Sequence, residues 1–140
     1  MQKRKIFGKN TFVVEILKGF NGILFGDSRD NVRKKIGGKY TEYKRNEFSI
    51  NSIDDYDLFT ISYDADNKFE CIEFVSGKVY LNNIQIFPGS LKKASEVIRN
   101  LKYDGYGYSS EEESVGITTS EDDNNMIETI LFACEGYYRE

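Results

Sequence analysis

One hairpin is written twice in this chain. Residues 58–74 read LFTISYDADNKFECIEF, and residues 116–132 read GITTSEDDNNMIETILF. At a shift of 58, seven of the seventeen positions are identical: Thr60/Thr118, Ser62/Ser120, Asp64/Asp122, Asn67/Asn125, Glu70/Glu128, Ile72/Ile130 and Phe74/Phe132. Average residue usage gives roughly one such identity by chance. A repeat of this kind limits the folds open to the chain before any local propensity is consulted.

Alternation sends every second side chain of a strand to one face. If Tyr63 pairs with Lys68 across the Asp64–Asn67 turn, Phe59 pairs with Ile72, and Ile61 and Phe74 share their face. In the second copy Ile117 pairs with Ile130, beside Phe132. This apolar face is the expected core face. The opposite face carries Thr60, Ser62, Phe69, Cys71 and Glu73, then Thr118, Ser120, Ile127, Thr129 and Leu131, the mixture expected of a sheet with one solvated side.

The hairpins are preceded by a second repetition. Asp27 or Ser28 can cap a helix that ends at Gly37-Gly38, with Val32 and Ile36 on one face and Arg33, Lys34 and Lys35 in its last turns. Ser90 opens a second helix expected to reach Leu101, with Leu91, Ala94, Val97, Ile98 and Leu101 on one stripe. At a shift of 62 these match as Phe25/Phe87, Ser28/Ser90 and Ile36/Ile98. Further strands are expected over Thr11–Leu17, Ile23–Phe25, Lys78–Leu81 and Ile84–Phe87, and near Phe48–Ile50. Asn82-Asn83 reads as a tight turn, and residues 1–10 as a basic, loose lead-in.

The expected fold is α+β: a tandem α/β repeat forming one antiparallel sheet with the helices on one face. The expected organisation is a single domain over residues 1–140, built of two similar halves of about 11–81 and 82–138. The 140 residues suffice for a real core.

Net charge is −4, which disfavours holding a phosphate backbone and suits a basic protein partner. Cys71 and Cys134 read as buried, reduced thiols. The run after Lys3, Arg4 and Lys5 is cut by Glu15, too short for a signal peptide or membrane span, which leads to a cytoplasmic expectation.

No histidine is present, so the usual general base and metal ligand are missing. Asp64–Asn67 and Glu121–Asn125 resemble Ca²⁺ loops in composition but lack the glycine and bidentate glutamate of an EF-hand, and read as turn chemistry. Gly105-Tyr106-Gly107 is not a phosphate loop. No metal, cofactor or catalytic role is expected, and the chain does not read as an enzyme.

The strongest interaction candidate is the stretch 103–113. Tyr103, Tyr106 and Tyr108 offer rigid amphipathic area, and Asp104, Glu111, Glu112 and Glu113 can pair with cations on a partner. Glu121, Asp122 and Asp123 flank the same expected strand, 114–119, so the two acidic runs are expected near one end or edge of the sheet. Asp54, Asp55 and Asp57 form a weaker candidate, since a charge run is usually a solvated face.

Gly22, Phe25, Gly26, Ser28, Val32, Ile36 and Gly37 follow the Gly-x-x-Phe-Gly-x-Ser/Thr-x-x-x-Val-x-x-x-Leu-Gly opening of small bacterial proteins that include immunity proteins of contact-dependent growth inhibition and related polymorphic toxin systems. Asp55-Tyr56, Ser62-Tyr63-Asp64 and Ile72-Glu73-Phe74 extend the resemblance, which covers about Gly22 to Phe74. The helix opening is also similar to that of the β-lactamase-inhibitor-like fold, a tandem α/β repeat with a concave sheet. The resemblance implies a cytoplasmic protein that binds the toxic domain of a cognate effector, often a nuclease with a basic cleft, and covers its active site. It carries over no binding residue. An acidic binding module unrelated to toxins and an enzyme of another type are the competing classes.

Overall fold

Both hairpins form, and each bends at the same place. In a computed structural model describing residues 10–138, the elements run β1 (Thr11–Glu15), β2 (Gly19–Phe20), β3 (Ile23–Leu24), α1 (Arg29–Ile36), β4 (Thr41–Tyr43), β5 (Ile53–Asp55), β6 (Phe59–Tyr63), β7 (Phe69–Phe74), β8 (Lys78–Leu81), β9 (Ile84–Phe87), α2 (Leu91–Ser95), β10 (Lys102–Tyr103), β11 (Tyr108–Ser110), β12 (Val115–Thr119) and β13 (Ile127–Ala133). The basic lead-in over residues 1–9 lies outside the described residues.

In the β6–β7 hairpin Ile61 lies opposite Ile72 and Phe59 opposite Phe74, and the register shifts between Ser62 and Tyr63. In β12–β13 Ile117 lies opposite Ile130 and Val115 opposite Phe132, and the register shifts between Thr118 and Thr119. The expected Phe59–Ile72 and Tyr63–Lys68 pairings are therefore replaced by pairings two residues and one residue away. The physical reason is a β-bulge. Glu70 in one hairpin and Glu128 in the other have no partner opposite them, and such an extra residue bends the strand. The shift of 58 holds for β7 and β13. The preceding strands correspond in register at a shift of 56, because the second tip is two residues longer. Thr60/Thr118 and Ser62/Ser120 are thus identical in sequence without being equivalent in register.

The strands form two sheets, where one was expected. The eight-stranded sheet is antiparallel throughout, in the order β10-β11-β12-β13-β7-β6-β5-β4. The five-stranded sheet has the order β3-β2-β1-β8-β9, and its β1–β8 pair is parallel. β1 and β8 are each followed by a hairpin return, so they can meet only after a long crossover. The chain is mostly strand with two short helices.

α1 matches the expectation closely. The Ser28 side chain accepts the Asn31 N–H at 3.2 Å, and Gly37, at φ 69°, returns its N–H to the Arg33 carbonyl. α2 is shorter than expected. The Arg99 N–H is taken by the Glu113 carboxylate at 3.0 Å, and Asn100 turns to φ 59°, so the stripe continues as a turn rather than a helix. Ala94 and Ile98 are buried all the same. Phe48–Ile50 is not a strand: it lies in the loop between β4 and β5, with Phe48 84% and Ile50 74% exposed.

A single core joins these parts. Val32, Ala94 and Ile98 pack in one cluster with Ile61, Ile72, Ile117 and Ile130. Phe12 of the smaller sheet lies 5.1 Å from Phe74 and 5.3 Å from Phe59, in tilted and edge-on geometries that favour aromatic pairs. The reverse face of the large sheet is not fully open. The chain turns back after Ala133, and a Cβ at Gly116 would collide with the Tyr138 hydroxyl. Tyr137 approaches Cys71, whose thiol is buried and pushed up to about 12 by desolvation. Both cysteines are free.

Candidate interaction site

The β10–β11 hairpin carries the tyrosines out from one edge of the large sheet. Tyr103 pairs with Tyr108, their rings 5.5 Å apart and edge-on. The tip is held from within. Asp104 accepts the Tyr106 N–H at 3.0 Å and the Gly107 N–H at 2.9 Å, and its own N–H meets the Gly107 carbonyl at 2.9 Å. Those two N–H groups hold the Asp104 carboxyl below the usual range, because they favour the ionised form. Gly107 is required by space, since a Cβ there would overlap the Ile117 carbonyl. Tyr106 is left 95% exposed and Tyr103 69% exposed on a fixed turn, whereas Tyr108 is half-buried against the core.

The acidic runs separate. β12 is five residues long, so its ends lie roughly 15 Å apart. Glu111, Glu112 and Glu113 precede it, and Glu121, Asp122 and Asp123 follow it, at the opposite end of the sheet. Since β11 runs antiparallel to β12, the Asp104–Gly107 tip shares its end of the sheet with Glu121–Asp123. Both runs thus lie on the β10 side of the sheet but at opposite ends of it, and Glu121, Asp122 and Asp123 stand beside Tyr103, Asp104 and Tyr106 instead.

Glu112 and Glu113 are also partly spent inside the molecule. Arg99 Nη2 lies 2.9 Å from Glu112 and Arg99 Nε 3.2 Å from Glu113. Asn100 Nδ2 donates to Glu112 as well. Glu111 is exposed, with no such bond among the described residues.

The aspartate cluster before the first hairpin divides. Asp55 accepts the Asp57 N–H in a turn at 2.8 Å. Asp54 is fully buried, which corrects its reading as part of a solvated face. It accepts Arg33 Nε and Nη2, both at 2.8 Å, the Tyr63 hydroxyl at 2.9 Å and Arg29 Nη1 at 3.3 Å. Arg29 in turn donates to Asn67 at 2.9 Å and to the Ser52 carbonyl at 3.1 Å, and its guanidinium lies 4.0 Å from the Tyr63 ring centre. Glu42 lies 3.2 Å from Arg33, balancing the second cation. Burial, then the bond to Asp54, pushes the Tyr63 hydroxyl well above its ordinary range. With its donors and acceptors paired, this network fixes α1 to β5 and β6. One sequence signal pointed to it. Arg29 sits in the first helical turn, where the dipole disfavours a cation unless a carboxylate answers it.

The acidic tips are turns. Asp64 accepts the Asp66 and Lys68 N–H groups at 2.9 and 3.0 Å, and Asp123 accepts the Asn125 N–H at 3.0 Å. Among the described residues no group of three or more His, Cys, Asp or Glu side chains is placed to hold a metal ion, and no helix is long and apolar enough to cross a membrane. Compared with protein families, with curated proteins and with solved structures, the chain gave no match.

Proposed function

We propose that this chain is an immunity protein, not an enzyme, that binds the toxic domain of a cognate effector in the cytoplasm and neutralises it by covering its active site. The observation that carries the reading is the exposed Tyr103–Tyr106 turn, held rigid by Asp104 beside the Glu121–Asp123 tip. A preorganised aromatic tip loses little freedom on binding. Exposed ion pairs are worth only about 0–1 kcal/mol each, so desolvating area beside them matters. The net charge of −4 suits a basic target such as a nuclease.

The fold supports the reading as a tandem duplication with both helices on one face of the large sheet. The strand order is palindromic if β4, β5, β6 and β7 answer β10, β11, β12 and β13. The centre is the β7–β13 pair, where Ile72 opposes Phe132 and Phe74 opposes Ile130. Each helix start is pinned to its hairpin by corresponding bonds: Phe69 N–H to Asp27 and Arg29 N–H to Asn67 in one half, Ile127 N–H to Gly89 and Leu91 N–H to Asn125 in the other. On this reading β8 opens the second half, and the division falls near residue 76 rather than 81.

The test is co-purification with the product of the adjacent toxin gene, followed by growth rescue. Rescue with a stable complex is expected. A stable complex with a different, non-toxic protein supports the second reading, an acidic protein-binding module, which the same exposed tip favours.

A further inference from the structure

The large sheet ends in two short strands, β4 and β10, and every residue of both is exposed. Among the described residues neither has a neighbour on its outer side. Unpaired edges are templates for further pairing. Here the strand count matters. All seven pairings in this sheet are antiparallel, so its eight strands alternate in direction and β4 runs opposite to β10. A second copy in the same orientation therefore brings its β10 antiparallel to the β4 of the first. The ladder continues without a reversal.

The side chains at these edges differ in kind. Around β4, residues 39–52 hold three Lys or Arg against two Asp or Glu, while Arg29 and Arg33 of α1 are taken up by Asp54. Residues 99–123 hold two against seven. The match also holds level by level. Lys39 and Tyr40 precede β4 at the end of the sheet that carries Asp104 and Tyr106 on the other edge. Lys44, Arg45, Phe48 and Ile50 follow β4 at the end that carries Glu111. Phe48 is 84% exposed, a large apolar side chain without cover. Pairing like edges by a two-fold axis would set cations against cations, or carboxylates against carboxylates.

We propose that these edges meet: the chain associates with further copies of itself head to tail, β4 of one copy against β10 of the next. The join is heterologous, so it propagates rather than closing at a dimer. It does not depend on the toxin-binding reading, though it covers the same tyrosine turn. Self-association and partner binding then exclude one another. A join of two short strands lies at the small end of interface sizes, among weak and transient contacts, and the expected Kd is roughly 10–100 μM.

Sedimentation velocity on three proteins tests this. The first is the unaltered chain, the second carries Phe48→Asp with Ile50→Asp, and the third carries Tyr103→Asp with Tyr106→Asp. These side chains are exposed, so unfolding midpoints should stay put and serve as the control for folding. The unaltered chain should form species beyond the dimer as concentration rises, with association falling about tenfold on going from low salt to ~0.5 M. Each double variant should be monomeric alone. Mixed, they should give a dimer and nothing larger, since only one intact head and one intact tail remain. A monomeric unaltered chain at ~1 mM, far above that Kd, overturns the proposal. So does a mixture that stays monomeric, or a dimer that persists in either variant alone.

Discussion

Asp54 shows how one residue can look functional in sequence and be structural in the fold. It stands in a run of acids, yet it accepts from two arginines and a tyrosine with no exposure at all. Removing one partner of a buried ion pair leaves the others uncompensated. Asp54→Ala should therefore cost about 3–5 kcal/mol in urea unfolding, and Tyr63→Phe only about 1 kcal/mol. Equal losses would mean that the arginines find water once the carboxylate is gone. Glu70, at the first bulge, behaves oppositely. Burial, then the nearby Asp64, raises its carboxyl above the ordinary value. A carboxyl raised by folding favours the folded state below its unfolded pKa, and that contribution is lost as pH rises through the folded value. Glu70→Gln should accordingly raise the melting temperature at neutral pH, and the gap to the unaltered chain should close as pH falls toward the ordinary carboxyl range. A gap independent of pH would assign the effect to packing.

At the scale of elements, the hairpins were legible because the same period-two apolar pattern runs through both. Ile72, Phe74, Ile130 and Phe132 are fully or almost fully buried, as their alternation demanded. The register was not legible, because a bulge adds a residue without leaving a compositional mark. Glu70/Glu128 looked like any other identity. The second sheet was missed for a different reason. The parallel meeting of β1 and β8 joins segments more than sixty residues apart, and no local pattern encodes that. Of the candidate site, the exposed tyrosines were legible from composition, whereas the hairpin that carries them, the turn bonds of Asp104 and the tie between Arg99 and Glu113 depend on backbone pairing and tertiary placement. Two predictions belong to this scale. Ile72→Ala and Ile130→Ala should each cost about 2–5 kcal/mol, and similar amounts, because each is fully buried between an isoleucine and a phenylalanine: Ile61 and Phe132 beside Ile72, Ile117 and Phe74 beside Ile130. Gly116→Ala should displace Tyr138, and with it the cover over Cys71. With Cys134→Ser in both proteins, the otherwise unaltered chain should react slowly with a thiol reagent at pH 8, since Cys71 is buried and its thiol pushed up to about 12, and the Gly116→Ala variant should react faster. Equal rates would show that the sheet itself, not the tail, shields the sulfur.

For the whole molecule, the dominant feature is an uneven distribution of charge and exposed aromatics. The α1–β4 side is basic, and the β10–β13 side is acidic with Tyr103 and Tyr106 at its tip. Glu112 and Glu113 are held by Arg99, so neutralising them would loosen a loop as well as remove charge. Glu121, Asp122 and Asp123 are the cleaner electrostatic probe. Changing all three to Gln, Asn and Asn should slow association with a basic partner and flatten its salt dependence, because steering acts on the on-rate. The most direct test is the dissociation rate of Tyr106→Ala from the proposed cognate toxic domain, measured by surface plasmon resonance against the unaltered chain. A stable unaltered complex is expected, with a faster off-rate in the variant, by about 2 kcal/mol or roughly thirtyfold. An off-rate unchanged in a folded variant, or no complex with the unaltered chain, would contradict the proposed function.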